Sequence, residues 1–436
     1  MKRSRVSLLI ITLLLGMALA ACGGSANTPT DSAGTTGGGA AAAKTTLTIE
    51  SWRSDDQKIW TEQIIPAFEK SHPEIHVEFK PTAPTEYNAA LNSKLQAGTA
   101  GDLITCRPFD VSLGLFNDGY LAPLNDLKGI ENFGDVAKSA WQTDDGKSVF
   151  CLPMASVIHG FIYNKDAFDK LGLKEPTTQD EFLQVLEALK KDGTYTPLVM
   201  GTAEQWEAAT MGFQNIGPNL WKGEEGRLAL IKGSAKLSDA PYVETFKQLA
   251  TWKDYLPEGY GAVKNADAQT LFASGRGAIY PAGSWDIPFF TKNAAFKLGA
   301  FKAPVANAGD PCYISDHTDI AIGLNAKSAH QAEARVFLEW VASAEFADIF
   351  SNALPGFFSL SSHAITLKDP LAQTFLDWRK SCTSTIRNSY QILSRGTPNL
   401  ENELWRTSVA VIDGTLTPEQ AAEELQKGLE TGYKPQ

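Results

Sequence analysis

Two hydrophobic periodicities alternate along the chain. Thr46-Leu-Thr-Ile-Glu-Ser-Trp52 is apolar at every second position, which predicts a strand. Ile59, Trp60, Ile64, Ile65 and Phe68 then recur at helical spacing over residues 57–70, and His72-Pro73 stops that helix. Residues 75–79 read as a second strand, 87–96 as a helix ended by Gly98, and 102–106 as a short third strand. Strand–helix repeats of this kind favour a mainly parallel sheet flanked by helices.

The middle of the chain continues the theme. Residues 150–163 form a long extended run. Thr178 and Glu181 make a capping box before a helix carrying Phe182, Val185, Leu186 and Leu189, and Gly193 closes it. Strands are predicted at 197–200, 278–280 and 296–304, with a helix over 242–255. Ser328 with Gln331, and Thr417 with Gln420, predict two further capping boxes.

The N-terminus is patterned differently. Lys2, Arg3 and Arg5 precede an apolar run from Val6 to Ala21, too short and too early for a spanning helix, so residues 1–21 read as a signal peptide. Leu19-Ala-Ala-Cys22 resembles a bacterial lipobox, which would make Cys22 the lipidated first residue and a membrane anchor. Residues 23–44, rich in Gly, Ala, Ser and Thr, would be a flexible tether. The formal charge is −11, and removal of the three basic residues with the signal peptide makes it more acidic. With no clustered Lys and Arg, nucleic acid is a poor partner. Cys106, Cys151, Cys312 and Cys382 are an even set in an exported chain, which favours disulfides. Three pairings are open; Cys106–Cys151 with Cys312–Cys382 closes the shorter loops. No spacing suggests a metal site, and no cofactor is expected.

Several segments, in order, resemble the family 1 extracellular solute-binding proteins, the sugar-binding group of ABC importers. They are Phe68-Glu-Lys-Ser-His-Pro73, Lys94-Leu-Gln-Ala-Gly98, Gly119-Tyr-Leu-Ala-Pro-Leu124, Gly160-Phe-Ile-Tyr-Asn-Lys-Asp166, Phe272-Ala-Ser-Gly275 and Gly283-Ser-Trp285. The resemblance covers nearly everything after Lys44. It implies a two-lobe α/β fold of the periplasmic binding type, each lobe a mainly parallel sheet flanked by helices, joined by crossing hinge strands. Lobes of 45–154 plus 304–353, and of 155–303 plus 354–436, would close on ligand between them. It further implies a monomer outside the cytoplasm, anchored to the cell membrane, delivering a sugar to ABC permease subunits without catalysing a reaction.

Sugars offer flat C–H faces to aromatics and hydroxyls to planar polar groups, and open α/β sheets bind ligands at strand ends. Trp285 follows a strand in a Gly-Ser-Trp turn where the family stacks an aromatic on sugar, with Asp286 beside it as an acceptor. Trp206 is a second aromatic of this kind. Trp52 with Arg53, and Arg107 with Asp110, end the first and third strands and could clamp hydroxyls; equally, they could serve packing or bond each other. Tyr87, Asp316, His317, Phe357 and Trp405 complete the candidates. A non-sugar cargo such as a polyamine, thiamine, a phosphate ester or iron is the alternative on the same fold. A lipid-anchored glycosidase is a more distant one, since no catalytic motif is present.

Overall fold

The computed structural model describes residues 44–84 and 86–435. The signal segment, Cys22 and most of the tether lie outside the described residues. Ten strands occur among them: β1 (Thr45–Ser51), β2 (Ile75–Pro81), β3 (Leu103–Cys106), β4 (Leu152–Asn164), β5 (Thr196–Leu198), β6 (Gly277–Gly283), β7 (Leu298–Phe301), β8 (Tyr313–Leu324), β9 (Phe358–Ser359) and β10 (Thr383–Thr385). The hydrogen-bonded order is β2-β1-β3-β8-β4-β6-β5. Pairing is parallel within β2-β1-β3 and in β5-β6, and antiparallel wherever β4 or β8 meets β3, β6 or each other.

Two long strands therefore organise the fold. β4 pairs with β8 over its first half and with β6 over its second, and all 13 of its residues are buried. β8 pairs with β10 at its start and β3 at its end. A register shift between Pro153 and Ser156 interrupts the β4–β8 ladder. The run at 150–163 contains no alternation because it is covered on both faces.

These strands connect separate cores. One gathers Leu47, Ile49, Trp60, Phe68, Ile104, Phe150, Ile322 and Phe337. Another gathers Phe161, Phe182, Phe213, Phe246, Trp252, Ile279 and Leu425, and a smaller one, around Ile158, Tyr280 and Phe375, lies along β4 and β6. Each fully buried side chain of this size contributes about 1.5–3 kcal/mol before entropy is counted. We refer to the bodies around the first and second cores as the first and second lobes.

The boxes at Thr178–Glu181 and Thr417–Gln420 form as the sequence predicts. The one at Ser328 does not. That helix begins at Gln331 with His330 at its N-cap, because the Ser328 oxygen accepts from the His330 N–H (2.9 Å) while its proton goes to Asp102 (2.6 Å), and Gln331 donates to the Asn325 carbonyl (2.8 Å). Both side chains are used to fix the turn leaving β8. Cys106 is bonded to Cys151 and Cys312 to Cys382, the shorter-loop pairing.

Candidate functional site

Strand ends from both lobes converge where β4 and β8 pair. The Gly283-Ser284-Trp285 turn leaves β6 and is held on two sides. Ser284 accepts a hydrogen bond from the Ile158 N–H (3.0 Å) and donates to the Gly356 carbonyl. Gly283 lies against the Trp285 indole so closely that a Cβ there would sit 2.1 Å from the ring. The turn thus aims Trp285 into the junction, where the half-buried ring packs against the first core as well as the smaller one. Trp206, also half-buried, faces it at 6.4 Å between centroids and 54° between planes. His159 of β4 meets Trp285 edge-on at 5.3 Å, and His317 of β8 lies 4.9 Å from His159. Tyr390 closes the group, 6.0 Å from His317 and 5.1 Å from Phe109 of the first lobe.

A belt of charge surrounds these rings. Arg53 is held by Asp56 through two hydrogen bonds, with its guanidinium 4.5 Å over Phe357. Arg107 donates to Asn88 (3.1 Å) and the Pro84 carbonyl (2.9 Å) and lies 4.7 Å over Trp52. Arg387 donates to the Tyr390 hydroxyl (2.8 Å) and reaches Glu401 at 3.5 Å. Among them stands Asp319 on β8. Desolvation raises its pKa, opposed by the fields of Arg53, Arg387 and Arg107. Desolvation likewise raises Glu401 and lowers Arg107. Asp319 nevertheless keeps 28% of its side-chain surface, so it lines a deep opening rather than solid interior.

Buried polar atoms without partners are rare in folded proteins, and here they cluster. Both ring nitrogens of His159 and of His317, Nε of Arg387 and the Asn388 side-chain nitrogen lack hydrogen bonds. Thr210 supplies a backbone group near His159, short of hydrogen-bonding geometry. Burial, with Arg387 nearby, pushes both imidazoles well below their usual range, so they are neutral at pH 7. A hollow of about 930 Å³ lies elsewhere, on the second lobe between Tyr163, Phe296, Leu298, Leu371 and Trp378. It has no comparable set of unpartnered polar groups.

The structure brings Trp285, Trp206, Arg53, Arg107, His317 and Phe357 to this junction. Phe357 and Trp52 are almost wholly buried and act as floors beneath the guanidiniums. Five expectations are corrected. Asp286 is fully buried and accepts from Gln269 (2.8 Å) and the Gly283 N–H (3.2 Å), which makes it a brace for the tryptophan turn; burial pushes its pKa up to about 7. Asp316 is saturated by Arg379, Ser156 and Ser384. Tyr87 is core, its hydroxyl donating to the Thr105 carbonyl (2.8 Å). Asp110 bonds neither Arg107 nor the site; Arg395 of the second lobe takes it at 2.6 Å and takes Asp144 at 2.8 and 2.9 Å. Trp405 packs on the second core. Sequence reasoning missed His159, Asp319, Arg387, Tyr390 and Glu401.

This arrangement can hold an uncharged polyhydroxyl molecule by its faces and its hydroxyls. Known proteins agree with that architecture. The chain is 25% identical over 358 residues to the multiple sugar-binding protein of Streptococcus mutans, covering 78% of this chain and 79% of that protein. It is 25% identical over 274 residues to the melibiose/raffinose/stachyose-binding protein MelE of Bacillus subtilis, covering 61% and 63%. The bacterial solute receptor AcbH, described as preferring β-D-galactopyranose, superposes with a TM-score of 0.77 at 18% identity over 90% of this chain and all of that one. Residues 52–348 match the profile of the bacterial extracellular solute-binding proteins. Matched in this way over more than half of its length, the chain belongs to that family.

Proposed function

We propose that the protein captures a neutral oligosaccharide at the junction of its lobes and delivers it to the membrane subunits of an ABC importer. One observation carries the reading: Trp206 and Trp285 face each other beside clustered, unpartnered hydrogen-bonding groups. Aromatic rings take the C–H face of a pyranose and guanidiniums take its hydroxyls, while the two buried neutral imidazoles back the rings. The sugar-binding names of the Streptococcus and Bacillus relatives point the same way. In this reading the first lobe spans 45–154 plus 304–353 and the second 155–303 plus 354–436. The protein works as a monomer outside the cytoplasm, anchored through Cys22 to the cell membrane, and carries out no catalysis.

The test is isothermal titration of the soluble chain from Lys44 with neutral di-, tri- and tetrasaccharides, alongside thermal melts. A ligand present at 100 times its Kd adds roughly 2.7 kcal/mol of stability. Micromolar binding of one sugar series is the expected result. Three convergent arginines favour a second reading, an anionic ligand such as a phosphate ester. Binding of sugar phosphates with no response to neutral sugars would establish that reading instead.

A further inference from the structure

Among the described residues, Asp319 is the only one of the junction's central charges without a hydrogen-bonding tether. Arg53 is clamped by Asp56, Arg107 is oriented by Asn88 and the Pro84 carbonyl, and Arg387 is drawn to Tyr390 and Glu401. The nearest ion-pairing nitrogen to the Asp319 carboxylate is His317 Nε2, at 3.9 Å, and no arginine closes on it. Yet all three arginines act on it through space, two from the first lobe and one from the second. A carboxylate beside three guanidiniums would ordinarily collapse into a bidentate pair. Here each arginine bonds its own partner, and none forms an ion pair with Asp319.

We propose that Asp319 is the residue that makes this cleft select neutral sugars over acidic ones. The inference rests on the sugar-binding reading above. A sugar hydroxyl both donates and accepts, so one hydroxyl can donate to Asp319 while accepting from a guanidinium, and the two are bridged without residual charge. A uronate or phosphate group cannot donate at neutral pH, and its charge meets Asp319 directly. Without Asp319 the balance reverses. The Arg53–Asp56 pair is self-neutralised and Arg387 has Glu401, but Arg107 has no carboxylate partner, so the cleft becomes an anion site. Discrimination of this kind works by repelling the wrong ligand as much as by gripping the right one.

The experiment titrates wild type and Asp319→Asn with stachyose and xylotetraose as neutral probes and with tri- and tetragalacturonate as acidic ones. Asn preserves the shape and one acceptor while removing the charge. Wild type is expected to bind a neutral probe and to reject the galacturonates. D319N is expected to lose at least tenfold in neutral affinity and to raise the acidic-to-neutral ratio at least tenfold. Arg107→Gln added to D319N should abolish the acquired galacturonate binding, an outcome that mere loosening of the fold would not give. Melting temperatures within a few degrees of wild type establish that the variants are folded; if D319N unfolds, Asp319→Glu, which keeps the charge, must retain the neutral preference. An unchanged ratio in a folded D319N, or a wild type that prefers galacturonates, overturns the assignment to Asp319 while leaving sugar binding intact. If wild type binds none of the neutral or acidic sugars, the sugar-binding reading itself falls and the inference with it.

Discussion

Substituting Gly283 by Ala tests whether Trp285 is the platform, without touching Trp285 itself. Gly283 has φ −95° and ψ 153°, an extended conformation that alanine adopts without strain. The added methyl would nevertheless lie 2.1–2.3 Å from three carbons of the indole, where ordinary contacts begin near 3.4 Å. The ring must retreat by about 1 Å or swing out, because Gly283 is itself fixed in the β4–β6 ladder opposite His159. A platform moved that far loses most of its stacking, worth about 1–3 kcal/mol with its buried area, or roughly 5–150-fold in Kd. Titration calorimetry of wild type, G283A, W285A and the double variant with the best sugar ligand provides the assay. W285A should cost as much as G283A or more, and the double variant should cost no more than W285A alone, since the methyl then has no ring to displace. Wild-type affinity in G283A, or full additivity in the double variant, would refute the assignment of Trp285 as the stacking surface.

Other expectations concern closure, covalent ties and titration. Arg395→Gln removes the link from the second lobe to Asp110 and Asp144; these groups are partly exposed, so about 1 kcal/mol is at stake, and a few-fold weaker binding with a larger unliganded radius in small-angle scattering is expected. An unaltered radius and affinity would show that the contact does not hold the lobes. Replacing Cys106 and Cys151 by Ala reopens a 45-residue loop and should cost roughly 4 kcal/mol in chemical denaturation, with a loss under 1 kcal/mol contradicting the entropy argument. Glu207 is fully buried, neither carboxylate oxygen has a partner, and desolvation pushes its pKa up from 4.5 to about 7. The unfolded chain therefore releases this proton first, and stability should decline as pH rises from about 4.5 to 7. Glu207→Gln should make that decline shallower, the remainder coming from Asp286, which burial raises over an overlapping range, and identical profiles would exclude Glu207 as a source.

The sequence was most legible where one pattern has one physical cause. Period-3.6 apolar stripes found the helices, and two of the three capping boxes formed as local spacing predicts. The box at Ser328 did not form because its oxygen accepts from the His330 N–H two residues on, in a tight turn, and the Gln331 side chain reaches back to the Asn325 carbonyl. In the site, aromatics in glycine-marked turns were readable, as Trp285 was. Strand alternation separates Asp316 from its neighbours: it faces Arg379, while His317 and Asp319 share the opposite face. Having chosen His317, the same rule would have selected Asp319 over Asp316. His159 sits in a run where every position is buried, so its polarity alone could have flagged it. Arg387 and Tyr390 lie in irregular chain between β10 and the helix Leu400–Asp413, and only the folded path brings them across to Asp319.

The two disulfides have a consequence for how such a chain becomes oxidised. Residues 106 and 151 both precede 312 and 382, so the bonds follow one another along the chain without interleaving. A polypeptide emerging N-terminus first into an oxidising compartment can complete the first bond before either thiol of the second has appeared. Mispairing requires a thiol to wait across more than 150 residues of unfinished chain. The order of the cysteines thus guides the correct pairing during export and limits the need for later disulfide shuffling.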